Sequence, residues 1–174
     1  LNPSSAASDV YKRQVLVHPT LNMLNKPQKA LVLGGGDGMA VRELLKYEHI
    51  QEIVLVDLDS SMTNLAQNNP LFVEVNQGAL KNAKVRKIKN RALIPSGYAP
   101  LILGNQKRPY SQDFQEVKQL KVINVDAIAF LEQIPGLFDI IILDFPDPHS
   151  IELAKLYSKG FYHLLEKHLS PRGL

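Results

Sequence analysis

The segment Ala30-Leu-Val-Leu-Gly-Gly-Gly-Asp-Gly38 restricts what this chain can become more than any other stretch. Ala30 to Leu33 are apolar without interruption, as in a strand covered on both faces. Met39 to Tyr47 then places Val41, Leu44 and Leu45 at helical spacing. Between strand and helix, Gly34, Gly35, Gly36 and Gly38 allow a tight turn and a close approach of backbone to ligand. Such a turn alone is weak evidence of a nucleotide site. Asp37 adds the useful information. A phosphate cradle needs donors and positive potential, so a carboxylate inside the loop speaks against a pyrophosphate. The loop suits a neutral or cationic ligand, such as a sulfonium nucleoside carrying an amine.

The same strand-to-helix pattern repeats. Ile53 to Val56 is a second apolar strand ending at Asp57, followed by a helix from Ser60, as N-cap, through Asn68. Phe72 to Leu80 reads as a further helical piece. Val122 to Val125 is a third strand, ending at Asp126, and Ile128, Leu131 and Ile134 continue at helical spacing. Phe138 to Leu143 is the strongest strand and ends at Asp144; Asp144-Phe-Pro-Asp-Pro148 must be a rigid loop. A last helix covers about Leu156 to His168. This alternation predicts a Rossmann-like α/β fold, a parallel sheet with helices on both faces. The fourth strand is apolar enough to want a neighbour on each edge. A chain stopping at Leu174 is therefore expected to be truncated, without the later strands of its sheet.

Composition narrows the chemistry. With no cysteine there is no disulfide, thiolate metal site or cysteine nucleophile. The five histidines are scattered and lack metal-ligand spacing. No apolar run approaches the ~20 residues of a membrane span. The net charge of +3 is unevenly spread: residues 81–121 hold 10 of the 20 Lys and Arg and only Asp113 and Glu116 among the acids. The remainder carries 10 basic and 15 acidic residues, an acidic body suited to a cationic substrate. The basic segment reads as a solvated loop rather than a nucleic-acid surface. Residues 84–120 lose all periodicity and are read as an insertion, with a hairpin between Ala92 and Leu103. Residues 1–14 show neither helix nor strand period and are read as a non-native or disordered leader.

Each of the four strands hands over to an aspartate: Asp37, Asp57, Asp126 and Asp144, with Asp147 three residues later. In open α/β sheets ligands bind beyond the carboxyl ends of the strands, so these acids are expected around one crevice. For any single one, a helix cap is an equally good reading; five caps in one crevice is not. Asp57, with Asp59 as competitor, suits ribose hydroxyls. Asp126 suits an adenine amino group, with the Ala127 N–H serving the ring. Asp37 would repel a methionine carboxylate and attract an ammonium. Asp144 and Asp147, separated by Phe145, suit a diamine and its proton.

Taken together, Gly34-Gly-Gly-Asp-Gly38 with Arg42-Glu43, Val56-Asp-Leu-Asp59, Asp126-Ala127, Asp144-Phe-Pro-Asp-Pro148 and Leu156-Tyr-Ser-Lys-Gly-Phe-Tyr162 resemble the spermidine synthase (polyamine aminopropyltransferase) family. The resemblance covers roughly residues 15–83 and 120–174. It is greatest to the bacterial branch whose catalytic domain follows a membrane-spanning region. It implies transfer of an aminopropyl group from decarboxylated S-adenosylmethionine, a co-substrate rather than a bound cofactor, to putrescine or a similar polyamine. No metal is implied. By the same resemblance Asp144 is the proton acceptor, Asp37 and Asp147 hold the amine, and Gly34, Gly36, Asp57, Asp126 and Ala127 hold the nucleoside. A cytoplasmic catalytic domain, linked to a membrane region in a longer protein, and a homo-oligomer are expected. The family's Tyr-His-Glu is replaced by Lys12-Arg13-Gln14, which removes a polyamine-contacting histidine. Ile151 stands where many members have a proline near the adenine. A methyltransferase on the same fold, and an inactive fragment serving as a binding module, are the alternative readings.

Overall fold

The computed structural model describes residues 3–81, 84–87 and 119–174, with backbone alone for residues 3–10 and 84–87. The expected hairpin between residues 92 and 103, and most of the basic segment, lie outside the described residues. Helix α1 spans Pro3–Met23, β1 Lys29–Gly34, α2 Met39–Leu44, β2 Glu52–Asp57, α3 Ser60–Asn68 and α4 Pro70–Val75. Strands β3 (Lys84–Lys87) and β4 (Gln119–Asn124) follow, then α5 (Ala127–Gln133) and β5 (Ile140–Asp144). The chain closes with α6 (Ile151–Ala154), a 3₁₀ turn at Lys155–Tyr157 and α7 (Lys159–Glu166).

The five strands form one parallel sheet in the order β3-β4-β2-β1-β5. Side-chain alternation along the strands divides the core in two. Ala30, Val32, Ile53, Leu55, Ile140 and Ile142 meet Val17 and Leu21 of α1 and Ala40, Val41 and Leu44 of α2 on one face. Leu31, Leu33, Val54 and Val56 meet Phe130 and Leu131 of α5 and Phe161 and Leu165 of α7 on the other. Helices therefore cover both faces, as the sequence pattern predicts. Strand β5 lies at the sheet edge. Its outer side takes backbone bonds from the chain's last residues: Ile141 donates to Leu174 (2.8 Å) and Ser170 to Phe138 (2.9 Å).

Several expectations need correction. The sheet has a fifth strand, β3, inside the segment read as patternless; Lys84-Val-Arg-Lys87 has one apolar residue, which an edge strand tolerates. Residues 3–14 are not a structureless leader but the first half of α1, and the helix runs on through Pro19. Pro19 donates no N–H, and next to it the Thr20 hydroxyl donates to the Leu16 carbonyl at 3.1 Å. The N-cap of α3 is Asp59, not Ser60: its extended backbone lets the carboxylate accept from Ser61 N–H at 2.8 Å. The single last helix is broken at Ser158, whose hydroxyl caps α7 by accepting from Phe161 N–H at 3.2 Å.

A buried charge fastens α1 to α2. Glu43 is fully buried and receives Arg42, Lys46 and His18 at 2.7, 2.6 and 2.8 Å. Burial works against its charge, but the hydrogen bonds from Lys46 and Arg42 outweigh it and hold its pKa below the ordinary value. His18 also pairs with the Tyr47 hydroxyl. Arg42 donates to the Val75 carbonyl at 2.6 Å, joining α2 to the end of α4.

Candidate active site

Because the sheet is parallel, every strand ends at the same rim. The order β4-β2-β1-β5 sets out Asp126, Asp57, Asp37 and Asp144 along it in that sequence. Three strand spacings separate the ends of that row, about 14 Å. The topology therefore sets four of the five expected acids along one rim of the sheet.

The glycine turn is shaped around two of these carboxylates. Gly36 N–H donates to Asp57 Oδ2 at 2.8 Å, and a Cβ on Gly36 would stand 2.8 Å from that carboxylate. A Cβ on Gly35 would stand 2.6 Å from Asp144 Oδ2. Asp144 thus lies across the turn, and no residue but glycine leaves it room. Asp57 Oδ1 also accepts from Asp59 N–H at 2.7 Å. Asp37 accepts from Met39 N–H at 2.9 Å, and its own carbonyl accepts from buried Asn76 Nδ2 at 3.0 Å. Asn76 spans to the Ala66 carbonyl at 2.8 Å, which ties the turn to α3.

Between Asp37 and Asp144 sits a cation. Arg13 donates from Nε to Asp144 Oδ2 at 3.0 Å and from a terminal nitrogen to Asp37 Oδ2 at 3.1 Å. Both carboxylates are largely shielded, with side chains 12% and 15% exposed. One guanidinium thus bridges the two carboxylates through charge-assisted hydrogen bonds. Burial pushes the Asp144 pKa up; Arg13 pulls it down, and Asp37 and Asp57 push it up again, with a net rise. Asp57 is raised for the same first reason, burial. A carboxylate with a raised pKa is the better proton acceptor.

The remaining predicted residues are placed more loosely. Asp126 caps α5, accepting from Ala129 N–H at 2.9 Å, and Ala127 is buried beside it. Asp59 is occupied as the α3 cap and not as a second rim acid. Asp147 is on the exposed proline loop, and its carboxylate makes no hydrogen bond or ion pair among the described residues. The Phe145 ring packs on Phe161 at 6.0 Å and Tyr157 at 6.5 Å. Ile151 is 78% exposed. Sequence reading missed Arg13, whose partners Asp37 and Asp144 are 24 and 131 residues away, and Asn76, whose partner Asp37 is 39 residues away. Among the described residues no group of three His, Asp or Glu is arranged to hold a metal, and no helix is long and apolar enough to cross a membrane.

A parallel α/β sheet with a glycine turn and an acid-lined rim at its carboxyl end defines a Rossmann-like protein. Comparison with known proteins gives the family. The spermine/spermidine synthase domain profile matches residues 9–90 and 107–174, so the chain belongs to the spermine/spermidine synthase family. The match includes residues 9–14, part of the stretch read as a leader. A polyamine aminopropyltransferase of Leptospira interrogans is 36% identical over 170 residues, covering 97% of this chain and 27% of that protein. One from Oceanobacillus iheyensis is 38% identical over 160 residues, covering 92% of this chain and 24% of that protein. The chain thus spans about a quarter of the length of these curated relatives. Two crystal structures share the fold at 18% identity. A spermidine synthase in complex with the transition-state analogue AdoDATO gives a TM-score of 0.66, covering 93% of this chain and 42% of that one. Spermidine synthase from Thermotoga maritima gives 0.63, with 93% and 41% covered.

Proposed function

We propose that this chain carries the catalytic rim of a polyamine aminopropyltransferase. The reaction is transfer of an aminopropyl group from decarboxylated S-adenosylmethionine to putrescine, giving spermidine and methylthioadenosine. The observation that carries the reading is the Arg13 guanidinium held between Asp37 and Asp144, at the glycine turn, in the middle of a row of acids. A phosphate or carboxylate ligand would meet repulsion there; a sulfonium nucleoside and an amine would not.

Asp126 and the Ala127 N–H are assigned to the adenine, Asp57 to the ribose, and Gly34 and Gly36 to the nucleoside as well. Asp37 and Asp147 hold the amine. An alkylammonium with a pKa near ~10 is not nucleophilic until it loses a proton, and Asp144 is the acceptor. The freed nitrogen attacks the propyl carbon attached to sulfur. The C–S bond breaks with its electron pair going to sulfur, which leaves as a neutral thioether. Since the sulfonium is already activated, alignment supplies most of the remaining acceleration. A homo-oligomer, a cytoplasmic setting and attachment to a membrane region of a longer protein belong to the same proposal. The relatives' greater length leaves room for such regions.

Calorimetry with methylthioadenosine, then with putrescine added, tests the assignment, followed by an assay of spermidine formation. Binding of S-adenosylmethionine with none of methylthioadenosine would replace the reading with a methyltransferase. Binding of neither nucleoside would remove it.

A further inference from the structure

We propose that Tyr157 is the positioning residue of the amine subsite, fixing the loop that carries Asp147; this rests on the assignment of Asp147 to the amine. The Tyr157 hydroxyl donates to the Pro146 carbonyl at 2.7 Å. Among the described residues, no other side chain from outside the loop bonds Pro146, Asp147 or Pro148. The loop's only other bonds at these residues come from His149, whose N–H and ring both reach the Asp147 carbonyl, at 2.9 and 3.0 Å. Pro146 and Pro148 have no N–H, so the loop cannot tie itself down with backbone donors at those positions.

The tyrosine itself is well mounted. It ends the 3₁₀ turn Lys155–Tyr157, and Ser158 immediately starts the cap of α7. Its ring meets the Phe145 ring at 66°, and Phe145 in turn packs on buried Phe161. Phe145 Cδ1 lies 2.9 Å from where a Cβ on Gly34 would stand. One line of contacts therefore runs from the glycine turn through Phe145 to Tyr157, and back through Pro146 to Asp147. The phenol also senses that acid: burial first, and then the charge of Asp147, raise its pKa. Removing the hydroxyl would leave the core packing in place and release the loop segment next to Asp147.

The test is a double-mutant cycle on this chain, with Y157F, D147N and the pair, titrated by calorimetry with methylthioadenosine and then putrescine. Y157F should weaken putrescine about three- to tenfold and leave methylthioadenosine within about twofold. In the D147N background, Y157F should have no further effect on putrescine, since Tyr157 acts through Asp147. Additive losses, or both ligands weakening in step with a lowered melting temperature, would make Tyr157 a structural residue only. Y157F binding putrescine like the parent would overturn the inference alone. A parent that binds neither ligand, or D147N without effect on putrescine, would overturn the amine assignment beneath it.

Discussion

Asp144 is where burial and chemistry meet. Its raised pKa means that the charged form is held at a cost in the folded state. The acid limb of the transfer rate should accordingly lie above the ordinary aspartate value of ~3.9, read from kcat/KM against pH. D144N should lower the rate at least ~100-fold while methylthioadenosine still binds. Asp57 allows a cleaner stability experiment. A carboxyl whose folded pKa is raised contributes stability that is fully present below the unfolded pKa and lost as pH rises through the folded one. D57N, which keeps an acceptor for Gly36 or Asp59, should therefore melt higher than the parent at pH 7, and this advantage should shrink as the pH falls toward 4. Arg13 makes the opposite kind of prediction. Replacing it with glutamine vacates the cation position and raises the Asp144 pKa further. Putrescine should then bind about three- to tenfold tighter, by calorimetry. An unchanged or weaker affinity would mean that the guanidinium does not occupy the amine position. The rim acids were legible in the sequence because each follows an apolar strand. Arg13 was not, because its partners Asp37 and Asp144 are 24 and 131 residues away.

At the scale of elements, the strongly apolar strands announced themselves. Ala30–Leu33 and Ile53–Val56 lie in the middle of the sheet, and Ile140–Leu143 on its edge is as apolar because the chain's last residues cover its outer side. β3 escaped because a charged edge strand has no such run, and α1 escaped because residues 3–14 lack an apolar stripe and Pro19 looks like a stop. What holds α1 and α2 together was also invisible: His18 looked like one more scattered histidine, yet it reaches the buried Glu43. E43A would leave Arg42 buried without its charged partner and should cost about 3–5 kcal/mol in urea denaturation at pH 7. Because the Glu43 pKa is lowered, its contribution is present above the ordinary glutamate value and is lost as acid brings the pH down through the folded pKa. The E43A deficit should narrow correspondingly in acid.

For the molecule as a whole, charge and topology have to be considered together. The parallel register runs from Lys84–Lys121 to Lys87–Asn124, so β3 and β4 point the same way. Lys87, at the end of β3, therefore lies at the acidic rim, and Gln119, at the start of β4, at the opposite end of the sheet. A hairpin turn cannot make that journey; joining parallel neighbours takes a dozen or more residues. The register of the two strands thus sets a lower bound on the length of any chain that joins them. Trimming residues 88–118 to about twelve should leave a cooperative thermal transition, whereas a two-residue replacement should abolish it. Such a stretch is free to vary in content and in surplus length, but not to vanish: the sheet sets a minimum fare for crossing from one end to the other.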